Sequence, residues 1–136
     1  MKHSVRLFAV STIAALTVAG AASCSNSTGS NGLTPQQMQG NYVLTSIHEP
    51  PAGVLVPPAA TGTLALTLTN YTLVLNISGA GTQYDGGTYT ISGNNFTQNS
   101  DSVGFSYQGT ATLVNDSLNV LVVTPGGTIT TTWQKQ

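Results

Sequence analysis

The stretch 62–78, GTLALTLTNYTLVLNIS, decides the fold. Over 62–69, Leu64, Leu66 and Leu68 alternate with small or polar neighbours, and over 71–78 so do Tyr71, Leu73, Leu75 and Ile77. A period of two puts each set on one face of a pleated strand. A two-residue turn at Thr69-Asn70 sets Leu68 opposite Tyr71, Leu66 opposite Leu73 and Leu64 opposite Leu75, all on one face. A slip of one residue would move every leucine to the other face, so this pairing is strongly specified.

The same test extends along the chain. A turn at Gly93-Asn94, a favourable hairpin pair, sets Ile91 against Phe96 and Tyr89 against Gln98. A turn at Asn115-Asp116 sets Leu113 against Leu118, Ala111 against Val120 and Gly109 against Val122. The reversal Thr124-Pro125-Gly126-Gly127 brings Val122 to Ile129 and Leu118 to Trp133; Pro125 cannot take positive φ, which points to a longer loop there. The expected strands are 41–48, 62–69, 71–78, 87–92, 95–100, 103–114, 117–124 and 128–134. Short links favour an all-β, eight-stranded up-and-down antiparallel barrel, which closes and leaves no edge. A β-sandwich is the alternative, although the Cys…Trp…Cys pattern of immunoglobulin domains is missing.

In such a barrel the inward set includes Tyr42, Leu44, Leu66, Leu73, Tyr89, Phe105, Tyr107 and Val120. An eight-stranded barrel either fills with side chains or keeps room for one small ligand. The many leucines and aromatics argue for filling, whereas Gly109 and Ala111 open space on one wall.

Ahead of the first strand, Thr34-Pro35-Gln36-Gln37 carries a capping-box pattern with Pro at the first helical position. Four features together resemble the bacterial lipocalin-like lipoproteins over residues 33–136: this helical turn, Gly40-Asn41-Tyr42 opening the first strand, a long first connection, and the ending Trp133-Gln134-Lys135. Lipocalins open on Gly-x-Trp, with the aromatic ring under a basic side chain. The resemblance gives those places to Tyr42 and Lys135, with Tyr for Trp and Lys for Arg. It also gives the connection 48–61, HEPPAGVLVPPAAT, to the loop that partly lids the barrel. Two Pro-Pro pairs stiffen this loop around the apolar tip Val54-Leu55-Val56. It either folds over the mouth to complete the core, the favoured reading, or serves as a lid or lipid-touching patch, since long loops are often functional.

At the N-terminus, Lys2 and Arg6 precede a charge-free run over 7–22. A basic head, an apolar middle and small residues form a secretory signal over 1–23. The run is short and diluted for a membrane-spanning helix. Ala21-Ala22-Ser23-Cys24 is similar to the lipobox of bacterial lipoproteins, with Ala21 where Leu is usual. That resemblance implies cleavage before Cys24, the only cysteine, and its attachment to diacylglycerol. Ser25 rather than Asp follows it, which favours the outer membrane or the cell surface. Residues 24–32 then read as a lipidated cysteine and a small polar tether, and 33–136 as one barrel domain.

Without the signal, Glu49, Asp85, Asp101 and Asp116 face Lys135 alone, a side-chain charge of −3. Such a chain lacks the basic footprint of a nucleic-acid binder. Catalysis is not expected: His48 is the only histidine beyond the signal, the four acids read as turn or loop-edge residues, and no Gly-x-Ser-x-Gly or metal-ligand clustering occurs. No cofactor is implied. Two functions stand nearly level: a barrel holding a small apolar ligand, slightly favoured through the resemblance, and a filled barrel acting as a structural or interaction module. The sequence names no protein partner.

Overall fold

The computed structural model describes residues 32–136; the expected signal, Cys24 and nearly all of the tether lie outside them. One turn of helix, α1 (Pro35–Met38), precedes nine strands. These are β1 (Gly40–Glu49), β2 (Gly53–Leu55), β3 (Ala60–Leu66), β4 (Asn70–Ile77), β5 (Gly81–Ser92), β6 (Asn95–Ser100), β7 (Ser106–Val114), β8 (Ser117–Thr124) and β9 (Gly127–Lys135). Each strand from β3 to β9 pairs antiparallel with the next, and β1 pairs with both β3 and β9. The result is a closed eight-stranded up-and-down barrel with β2 as an added strand, which excludes the sandwich.

α1 caps one end. Thr34 and Gln37 form the expected capping box, with the Thr34 N–H donating to Gln37 Oε1 at 2.9 Å. Met38 is fully buried as the floor, and the Tyr42 hydroxyl donates to its carbonyl at 2.7 Å. Lys135 is in register with Tyr42 and holds its Nζ 5.8 Å from the ring centroid, the cation–π arrangement expected of this pair. The loops joining β4 to β5, β6 to β7 and β8 to β9 all lie at the other end, which is the open rim.

Three hairpins take the expected registers. Ile91 faces Phe96, Ala111 faces Val120, and Leu118 faces Trp133. Asn115 and Asp116 take φ of 48° and 63°, as a primed turn demands. The loop at Pro125 is no longer than two residues, since Thr124 pairs with Gly127.

The hairpin over 62–78 keeps its face but shifts by two residues. Leu66 faces Tyr71 and Leu64 faces Leu73, so Leu68 leaves the ladder and is 46% exposed. A turn centred on Thr69-Asn70 would force positive φ on a β-branched residue. The wider loop avoids it: neither residue takes positive φ. Thr67 anchors the loop, donating its N–H to the Asn70 carbonyl and accepting the Tyr89 hydroxyl at 2.6 Å on its own carbonyl.

Three further expectations are corrected. β7 starts only at Ser106, so Phe105 lies in the preceding loop and is 64% exposed rather than inward. Gly109 does not open space, because a Cβ there would stand 1.7 Å from the Leu121 carbonyl oxygen; its hydrogen lets β7 and β8 approach. The first connection is not a plain loop, since Gly53–Leu55 turns back onto Ile47–Glu49 as β2.

Candidate ligand-binding cavity

The barrel interior is not completely filled. A cavity of about 310 Å³ runs from Met38, Leu118 and Trp133 at the floor to Glu49, Ser102 and Thr124 at the rim. Alternation along the strands builds its wall: Leu64 and Leu66 on β3, Leu73 and Leu75 on β4, and Val120 and Val122 on β8. The Trp133 indole N–H is satisfied by Thr131 Oγ1 at 2.7 Å, so the floor presents a ring and no free donor from that residue.

The expected interior residues divide into three groups. Leu66, Leu73, Tyr107 and Val120 line the cavity. Tyr42, Leu44 and Tyr89 are buried in the surrounding core, with the Tyr89 and Phe96 rings stacked at 5.8 Å. Phe105 belongs to neither. Of the expected lid, Val54 and Val56 are 67% and 51% exposed, Leu55 packs on the core, and none of the three lines the cavity. Pairing of β2 with β1 holds that tip at the barrel's side and away from the cavity wall.

The residue that sequence reading missed is Asp85. Expected at a turn, it lies within β5, in register with Leu73 and lining the cavity. Asp85 Oδ2 accepts the Tyr71 hydroxyl at 2.8 Å and Gln98 Nε2 at 3.2 Å. Its Oδ1 accepts the Ser100 hydroxyl at 2.5 Å and the Gly86 N–H at 2.9 Å. Burial pushes this carboxyl up, but the hydrogen bonds it accepts, those of Ser100 and Tyr71 above all, outweigh burial and hold it below the usual carboxylate range. The group is therefore an anion at neutral pH. Tyr71 moves the other way: burial, then its bond to Asp85, pushes its hydroxyl up to about 12, which keeps it a donor. A signal for Asp85 did exist, because Asp85, Gly87, Tyr89 and Ile91 share one parity, and extending that strand backwards turns Asp85 inward.

Glu49 ends β1 and also lines the cavity, whereas the neighbouring His48 is exposed on the outer face. Among the described residues no group of three or more His, Cys, Asp or Glu side chains converges as a metal site would require. Comparison with known protein families, curated proteins and solved structures finds no match to this chain.

Proposed function

We propose that this chain is a lipid-anchored envelope lipoprotein whose lipocalin-like barrel binds a small apolar ligand and acts by binding, without catalysis. The observation that carries the reading is the cavity, about 310 Å³ with a largely leucine, valine and aromatic wall. That volume lies at the small end of ligand sites, and a mostly apolar lining with a few polar groups is their usual character. Strand order, the helical floor and the Lys135–Tyr42 pair support the lipocalin-like assignment. The anchor rests on the Cys24 pattern.

Saturable uptake of a neutral fluorescent apolar probe by the purified protein tests the binding reading. Leu73→Trp, which projects a large ring into the cavity, should abolish uptake while far-ultraviolet circular dichroism stays unchanged. Uptake without saturation, or undiminished in that variant, removes the reading. The anchor is tested separately: Cys24→Ala should move the protein from the membrane fraction to the soluble one, and an unchanged distribution removes it.

One observation favours a second reading, an interaction module. Tyr84, Val103 and Phe105 are 71%, 54% and 64% exposed around the open end. Crosslinking in intact cells would trap a protein partner at these positions if they form a contact.

A further inference from the structure

We propose that the ligand is a cationic amphiphile: an apolar body over Trp133, Leu118 and Met38, with an amine held beside Asp85. This inference rests on the barrel being a ligand site and names the chemistry of its occupant.

Charge inside the barrel has one sign. Asp85 and Glu49 line the cavity, and no Lys, Arg or His does so among the described residues. The only described lysine, Lys135, is held at the closed end against Tyr42 and the Gln37 carbonyl. Asp101 adds a third acid at the open end, in the loop between β6 and β7. A mouth walled by one sign of charge focuses the field and draws in the opposite charge.

The hydrogen-bonding groups agree. The Tyr71 and Ser100 hydroxyls both donate to Asp85, and Ser100 Oγ also accepts the Val103 N–H at 3.3 Å, so what they offer to a neighbour is their remaining lone pairs. A ligand carboxylate would meet a like charge and acceptor oxygens. An ammonium group meets a carboxylate that neutral dipoles stabilise but do not neutralise, and it supplies the missing countercharge. Gln98 is the longest of the four donors, at 3.2 Å, and is the one an incoming N–H displaces at least cost.

Orientation follows from depth. Asp85 stands between the rim residues Gln83 and Ser102 and the apolar floor, so the amine sits toward the opening and the tail points inward. Burial of the tail supplies the non-specific part of affinity, and Asp85 supplies the discrimination between head groups.

The test displaces a neutral fluorescent apolar probe from the purified protein with decylamine, decanol and decanoate, each below its micelle concentration and at neutral pH. Decylamine should bind about tenfold or more tighter than decanol, and decanoate more weakly than decanol. Asp85→Asn should erase the amine's advantage and leave decanol within about twofold, whereas Gln98→Leu, which keeps the charge, should retain that advantage. If Asp85→Asn does not fold, the unmodified protein still decides: added salt should shrink the amine's advantage and leave decanol unchanged. Equal binding of the three, or decanoate binding best, overturns this inference and leaves the barrel a ligand site. Failure of the probe and all three ligands to bind overturns both.

Discussion

Asp85 is satisfied by four donors drawn from β4, β5 and β6, so it ties three strands together as well as charging the cavity. Its folded carboxyl titrates below the ordinary value that it takes in the unfolded chain. The ionised group therefore adds stability that is present above that ordinary value and is lost as pH falls through the lower folded one. Asp85→Asn should lose about 1–3 kcal/mol at neutral pH, and its deficit against the parent should narrow on acidification below the ordinary carboxylate range. Denaturant midpoints recorded across that range check this; a constant deficit would contradict the sign. Gly109 makes a purely steric case. A methyl there meets the Leu121 carbonyl oxygen, so Gly109→Ala should cost about 2 kcal/mol or more in urea unfolding.

Hairpins show where sequence logic reaches and where it stops. Parity survives along the ladder except at the irregularity in β1 between Leu44 and Ser46, beyond which Ile47 and Glu49 face inward. Elsewhere it holds because each inward leucine, valine or aromatic is worth roughly 1.5–3 kcal/mol when buried. Turn length is set instead by backbone angles and local hydrogen bonds, which compete at energies of about 1 kcal/mol. Asn115-Asp116 suits positive φ and kept its two-residue turn, whereas Thr69-Asn70 does not and widened to free Leu68. Asp85 reads as a turn residue because aspartate commonly caps its own backbone in turns, although β5 runs straight through it. Phe105 reads as strand because Val103, Phe105 and Tyr107 alternate with small or polar neighbours, which carries the strand pattern back through the loop over 101–105. The barrel and most of its interior are thus legible, but the Asp85 carboxylate in its wall is not. Where a left-handed backbone is imposed on a residue with a side chain, glycine relieves it. Asp116→Gly should therefore raise stability by up to about 1 kcal/mol, as read from thermal unfolding.

As a whole, the molecule is a cylinder with one solid end and one open end. Trp133 and Leu118 are in register with each other at the solid end, and each is almost entirely shielded from solvent. Leu118→Ala should cost about 2–5 kcal/mol and enlarge the cavity at its floor, so a longer-chain alcohol should gain affinity relative to a shorter one in a displacement titration. A loss of affinity for both would place the ligand elsewhere.

The ring of strands also has unequal seams. β1 meets β3 only through Gly40–Val43 against Leu66–Thr63, the shortest ladder in the circle, and above it β2 takes over the edge of β1. Breathing motions of the wall should concentrate along that line, as a barrel stave parts first where the fewest hoops cross it. A passenger too bulky for the rim would then have a side entrance, and amide hydrogens beside the seam would exchange with deuterium ahead of those between β8 and β9.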